Sequence, residues 1–386
     1  MKIVFVSNFF NHHQKPLSDS LSASEGVDYH FIETAEIDDE RLNLGWGGGN
    51  KPSYVMNNYN SEQSKKKCQE LIDSADIAII GSAPLDLMKK RLKEKKLTFL
   101  YTERIYKKGY ENYKWPLRLI RHFFKYSRYK SFYLLCASAY ASSDFARTCS
   151  FVNKAYKWGY FTELIRYKDI DLLIEEKETN SILWTARFIP LKHPEIPVEI
   201  ARRLKADGYK FQMRLIGNGA EIEKIEHMVS EYGLEDEVHF LGAMSPGEVR
   251  SYMEKSEIFL FTSDRNEGWG AVVNEAMNSG CAVIASHTIG SVPFLINHMD
   301  NGLVFKSEDI DSLYKEVIYL IENSKDRKRI SRNAYKTIQE EWNAEEAAKR
   351  LLRVTEALLK GETTPKLFLR GPCSIAQKVN EHWFGD

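Results

Sequence analysis

Two carboxylates, Glu267 and Glu275, bracket the start of a helix-like stretch, Glu267-Gly-Trp-Gly-Ala-Val-Val-Asn-Glu275-Ala-Met-Asn-Ser-Gly280. Ionised carboxylates offer acceptors only, so the pair suits a ligand whose hydroxyls can donate. Gly268 and Gly270 leave room for a ligand to approach the backbone. The N–H groups of Gly268, Trp269, Gly270 and Ala271 are expected to point out of the helix start, where an anion is favoured. The plainer alternative is a solvated helix start whose acidic residues complement the dipole.

The flanks supply the elements that must hold these groups. Ile258-Phe-Leu-Phe261 reads as a strand, Thr262 to Asn266 as a polar turn, and Ala271 to Ser279 as a helix. Gly280 is a natural stop, and Ala282-Val-Ile-Ala-Ser286 is the next strand. Strand-like runs alternate with helical ones throughout, which argues for an α/β chain with mostly parallel sheets. The first series is Ile3–Val6, Tyr29–Ile32, Ile77–Ile80, Thr98–Tyr101 and Tyr133–Cys136. The second is Ile182–Trp184, Gln212–Ile216, Val238–Phe240, Ile258–Phe261 and Ala282–Ala285. A charged stretch of few apolar residues separates the two. The expected organisation is therefore a domain over 1–165, a linker over 166–180 and a second domain over 181–343. Helices follow over 311–323, 326–341 and 344–360. The tail beyond residue 360 contains Pro365, Gly371 and Pro372 and is not one helix.

The carboxylate pair and its flanks resemble the E-x7-E signature of retaining glycosyltransferases of family 4. The resemblance extends through Gly290-Ser-Val-Pro-Phe-Leu-Ile296 and Asn301-Gly-Leu-Val-Phe305. Upstream it takes in Trp184-Thr-Ala-Arg-Phe-Ile-Pro-Leu-Lys192, Leu215-Ile-Gly-Asn-Gly219 and Val238-His-Phe-Leu-Gly242. It implies the GT-B fold, two doubly wound, Rossmann-like domains facing each other across a cleft, with residues 344–386 packing back on the first. It also implies a nucleotide-sugar donor, with UDP favoured, and a lipid-linked or growing cell-surface glycan as acceptor. On this resemblance Glu275 accepts bonds from ribose hydroxyls and Glu267 contacts the transferred sugar. Arg187 and Lys192 meet the donor diphosphate, Arg as a bidentate fork and Lys as a point charge. The turns Gly217-Asn218-Gly219 and Gly242-Ala243-Met244 resemble those lining base and diphosphate, although loop geometry alone explains such glycines equally well. The readings that compete are another GT-B enzyme, such as a UDP-sugar epimerase, a GDP-mannose-dependent transferase, or a non-catalytic sugar-nucleotide binder.

The first domain departs from the commonest pattern of that family. Its first loop reads Asn11-His12-His13-Gln14, and its fourth strand ends in Tyr101-Thr-Glu103-Arg104. His13 and Glu103 are candidates for contact with sugar or acceptor, while helix capping and packing is the alternative for the histidines. Gly45-Trp-Gly-Gly-Gly49 is either an acceptor loop or a linker. Two Asp-x-Asp strings, Asp169-Ile-Asp171 and Asp309-Ile-Asp311, bring to mind a metal-diphosphate site, but the first lies in the stretch between the domains and the second at a helix start, which favours capping. No cofactor and no essential metal are expected.

Lys+Arg and Asp+Glu both number 54, so overall charge selects neither nucleic acid nor an acidic partner. Five scattered cysteines without CxxC spacing suit a reducing compartment. No run is long enough to span a membrane, and the expected location is the cytoplasm, at the inner face of the cell membrane. Between Arg104 and Tyr133 stand nine Lys/Arg, ten aromatics and one acidic residue, Glu111. From Pro116, Arg118, Arg121, Lys125 and Arg128 follow helical spacing beside Leu119, Ile120, Phe123, Phe124 and Tyr126. Such a face suits an anionic membrane surface. A packing helix with a basic exterior, or a nucleic-acid patch, are the alternatives.

Overall fold

A computed structural model describes residues 1–37, 51–107, 109 and 115–385. The segment 45–49 lies outside them. The chain divides into two compact units, Met1–Glu163 with Trp342–Asn380 and Leu164–Glu341 with Glu381–Asp386.

The first unit holds seven parallel strands. They are β1 (Lys2–Ser7), β2 (Asp28–Glu33), β3 (Val55–Asn57), β4 (Ile77–Ile80), β5 (Thr98–Thr102), β6 (Phe132–Cys136) and β7 (Ala155–Lys157), in the order β3-β2-β1-β4-β5-β6-β7. Every residue of β4 and β6 is buried, as are all of β1 beyond Lys2. Continuous burial is why these segments read as apolar runs rather than as alternating ones: helices cover both faces of a parallel sheet. The long helix Ala344–Leu359 returns to this unit and packs on the helix Lys15–Ser22. Its N-cap Asn343 accepts from the Glu346 N–H at 2.9 Å. Ala344, Ala347, Ala348, Leu351 and Val354 form its buried stripe.

The tail then pairs with β7. Lys157 donates its N–H to Ser374 O at 2.7 Å, and Ala376 donates to Ala155 O at 3.0 Å. This adds an antiparallel edge segment beside β7, a strand too short to show periodicity in the sequence.

In the second unit six parallel strands run in the order β10-β9-β8-β11-β12-β13. They are β8 (Glu178–Thr185), β9 (Gln212–Ile216), β10 (Val238–Phe240), β11 (Ser256–Phe261), β12 (Ala282–Ser286) and β13 (Leu303–Phe305). The order reverses between β8 and β11. A ligand in such a sheet binds beyond the carboxyl ends of the strands at that reversal. The stretch 166–180 is not a bare connector, since it contains the helix Ile170–Glu175 and the first residues of β8.

Candidate active site

In the second unit the loops after β8 and β11 lie at the reversal point. Lys192 stands in a short 3-10 turn, Pro190–Lys192, closing the β8 loop. Glu267 stands in the β11 loop and donates its N–H to Asp264 O at 3.1 Å. The two side chains meet, Lys192 Nζ donating to Glu267 Oε2, and each keeps only 14% of its exposure. The same ammonium lies 5.1 Å from the centre of the Phe261 ring.

Three further bonds tie the loops together. Asp264 N–H donates to Leu191 O at 3.0 Å. Thr262 Oγ1 donates to Lys192 O at 2.7 Å and accepts from the buried Trp184 Nε1 at 2.9 Å. His193, in the left-handed region at φ 49°, places Nδ1 2.8 Å from Glu195 Oε1 and Nε2 3.6 Å from Asp264 Oδ2. The bond to Glu195 raises its pKa, against a smaller opposing effect of burial. Arg187 is exposed, and its side chain makes no ion pair with another described residue.

Gly270 and Gly217 are among the positions in this site that only glycine can fill. Gly270 has φ +81°, and a Cβ there would fall 2.5 Å from the Phe261 ring. Gly217 has φ +139°, and a Cβ would sit 1.9 Å from Ala186 O. That closeness follows from the register, in which Gly217 N–H bonds Gly242 O at 2.8 Å and Phe188 N–H bonds Asn218 O at 2.9 Å. The Gly217–Gly219 and Gly242 turns therefore join the β8 loop at the same end of the sheet, with Asn218 and Gly242 exposed and Met244 half-buried.

The helix carrying Glu275 spans Val272–Asn278, and Gly280 follows at φ +65°, as the sequence indicated. Glu275 and Ala271 are half-buried, whereas Gly268 is buried. Trp269 is wholly buried and donates Nε1 to Asn274 Oδ1 at 2.9 Å. Its indole is thus part of the packing beneath the turn, and its carbonyl accepts from the Ser291 N–H at 3.2 Å.

A second cluster lies within the first unit. Glu103 follows β5, accepting from Tyr160 Oη at 2.6 Å and from Lys107 Nζ at 2.7 Å. The Tyr160 ring stacks on the His13 imidazole with centroids 5.9 Å apart. Tyr160, which no sequence motif marks, is what brings His13 and Glu103 together. His13 does not cap the following helix. Asn11 Oδ1 accepts the His13 N–H at 2.9 Å, and Gln14 Oε1 accepts the Asn11 N–H at 3.0 Å. Burial, and then the neighbouring His12, hold the His13 pKa down at about 3. His13 is accordingly neutral at physiological pH, so it can exchange hydrogen bonds with hydroxyls without carrying charge.

Both Asp-x-Asp strings are occupied by structure. Asp169 and Asp309 are N-caps, accepting from Leu172 and Ser312 N–H at 3.0 and 2.9 Å. Asp171 and Asp311 pair with Arg332 and Arg203. No group of three or more potential metal ligands occurs among the described residues.

The basic segment forms the helix Trp115–His122 followed by a π-turn, Phe123–Ser127. His122 and Tyr126 face inward: His122 Nδ1 lies 2.7 Å from Thr148 Oγ1, and Tyr126 is buried against Phe145 and Phe151. Arg118 is half-buried, with its guanidinium 5.1 Å from the Tyr106 ring centre. Arg121, Lys125 and Arg128 are exposed. No described helix is long and apolar enough to cross a membrane.

Residues 166–337 match the model of the family described as Glycosyl transferases group 1. An uncharacterized glycosyltransferase of Methanocaldococcus jannaschii is 28% identical over 62% of this chain and 63% of its own length. The amylovoran biosynthesis glycosyltransferase AmsK of Erwinia amylovora is 28% identical over 46% of this chain and 44% of its own. The chain thus spans less than two thirds of the length of these curated relatives. Among solved structures, Anabaena HepE in complex with UDP superposes with a TM-score of 0.69 at 14% identity, over 92% of this chain and 100% of that one. Sucrose-phosphate synthase from Thermosynechococcus elongatus gives 0.66 at 15% identity, over 94% and 100%. The fold is GT-B, built of two parallel-sheet, Rossmann-like domains.

Proposed function

We propose that this chain is a retaining, family 4 glycosyltransferase that moves a sugar from a UDP-sugar to a lipid-linked or growing surface glycan. The observation that carries this reading is the meeting of Lys192 and Glu267 at the reversal point of the second sheet, where the loop that holds Lys192 also carries Arg187. A diphosphate needs cations, and a sugar needs acceptors for its hydroxyls. This end of the sheet offers both. The matched group 1 domain supports the reading, as does the kinship with a polysaccharide-biosynthesis enzyme. HepE, of the same fold, binds UDP.

In the proposed reaction the bond from the sugar's anomeric carbon to the diphosphate breaks, and a bond to the acceptor oxygen forms on the same face. The acceptor's proton passes to the departing diphosphate oxygen, so UDP leaves and no carboxylate nucleophile is used. The protein's task is to stabilise charge growing on the leaving group with preset donors. Arg187 and Lys192 take that role. Glu267 holds sugar hydroxyls and Glu275 the ribose. Contacts to base and diphosphate fall to Gly217, Asn218, Gly242, Met244 and the backbone of Gly268–Ala271. His13 and Glu103 bind sugar or acceptor, and Arg121, Lys125 and Arg128 hold the enzyme to an anionic membrane.

Incubation with a panel of nucleotide-sugars, with and without lipid-linked acceptors, tests the reading. Nucleotide release that depends on the acceptor is the expected result. Interconversion of the donor without release would identify an epimerase instead.

A further inference from the structure

The segment that follows Trp115 does not hide its apolar side chains. Leu117, Ile120, Phe123 and Phe124 each keep half or more of their surface exposed. The π-turn accounts for the last two. Its i→i+5 bond, Arg128 N–H to Phe123 O at 3.1 Å, inserts one residue while Tyr126 stays buried, so two consecutive phenylalanines turn outward.

Between them lies a cavity of about 310 Å³, at the small end of the range for ligand sites. It is lined by Leu119, Ile120, Phe123 and Phe124 with Thr148 and Cys149 of the following turn. The hydroxyls at its wall are already engaged. Ser127 Oγ donates to Cys149 O at 3.2 Å, and Thr148 Oγ1 donates to Phe145 O at 3.0 Å. A sugar or an extended peptide would gain few hydrogen bonds there, whereas an alkyl chain needs none.

Charge specifies the rest of the occupant. Exposed Arg121, Lys125 and Arg128 belong to the same segment, and no acidic residue occurs from Trp115 to Ser143. None of these three cations has a carboxylate partner among the described residues. Resting on the membrane reading above, we infer that this cavity takes one acyl chain of an anionic lipid, whose headgroup phosphate meets Arg121, Lys125 and Arg128. The contact is more specific than adsorption by charge, because one chain leaves the bilayer interior for a protein groove.

Cys149 reports occupancy, being exposed while the other four cysteines are buried. Its alkylation rate in the full chain is followed by mass spectrometry with lysophosphatidylglycerol below its micelle concentration, or with glycerol phosphate as headgroup alone. The lysolipid is expected to slow the reaction about tenfold or more, since each methylene buried favours the occupied form. Glycerol phosphate leaves it unchanged. Ile120→Ser with Phe124→Ser, both exposed and so tolerated by the fold, abolishes protection. Replacing Arg121, Lys125 and Arg128 by Gln weakens binding to phosphatidylglycerol vesicles by about fivefold per residue. Equal alkylation with and without the lysolipid overturns the proposal, as does protection that persists in the double Ser variant or arises from the headgroup alone. Calorimetry with UDP on the same proteins reads the transferase assignment separately. Its failure in the wild type would leave lysolipid protection standing, and the converse holds too.

Discussion

Lys192 and Glu267, 75 residues apart in the chain, meet as an ion pair that joins the loops of two neighbouring strands. Each partner therefore has two tasks. Lys192 fixes the carboxylate that is proposed to hold the sugar, and Glu267 restrains the ammonium that is proposed to meet the diphosphate. A charge-balanced pair of this kind sets both side chains in place before a donor arrives, so less ordering remains to be done on binding.

The pair is open to a double-mutant cycle. Lys192→Met and Glu267→Gln each leave one half-buried partner without its counterpart, and each lowers stability. The double variant loses less than the sum, with a coupling of about 1 kcal/mol. Urea unfolding of the four proteins measures it. Strict additivity would show that the two side chains act independently.

Arg187→Ala and Glu275→Ala weaken UDP binding, each by about 1.5–3 kcal/mol, the worth of a hydrogen bond to a charged group. Arg187 is exposed, so its removal leaves the melting temperature almost unchanged. Calorimetric titration that finds wild-type affinity in both variants would remove the donor site from this end of the sheet.

Turnover is expected to survive EDTA. The acidic residues of both Asp-x-Asp strings are engaged as helix caps and in ion pairs with Arg332 and Arg203, and the proposed cations are side chains. Loss of nucleotide release on chelation, restored by magnesium or manganese, would reject this account.

Acid is expected to lower stability through partly buried histidines, of which His13 and His122 are shifted furthest. Burial, then His12, holds His13 at about 3, and burial, then Lys125, Arg121 and Arg118, holds His122 at about 4, against 6.5 when unfolded. The unfolded chain therefore binds more protons across this interval. The contribution of these two groups is complete above about 6.5 and declines as pH falls toward the folded values. Urea midpoints from pH 7.5 down to 4 should fall less steeply in a His13→Gln, His122→Gln variant. Parallel curves for the two proteins would show that these imidazoles do not titrate differently on folding.

Features under local chemical control were legible in the sequence. The helix after Glu267 ends where Gly280 allows a left-handed turn, and β4, β6 and β11 are apolar runs because both faces of a parallel sheet are covered. The capping roles of Asp169 and Asp309 were legible for the same reason, since a cap acts within its own first turn. The tertiary structure alone decided which distant groups share a place. Strand order brings the β8 and β11 loops together, so Lys192 finds Glu267, and it lets Tyr160 bridge His13 and Glu103, which are far apart in the chain. It also decided exposure, burying Trp269 within the signature turn while leaving Phe123 and Phe124 outside, because packing partners and an inserted π-turn residue leave no periodic trace in sequence. β3 and β7 were invisible although β10, equally short, was not: Val55-Met-Asn57 and Ala155-Tyr-Lys157 lack a continuous run of strand-forming apolar residues, and each is an edge strand held by its one neighbour in the sheet.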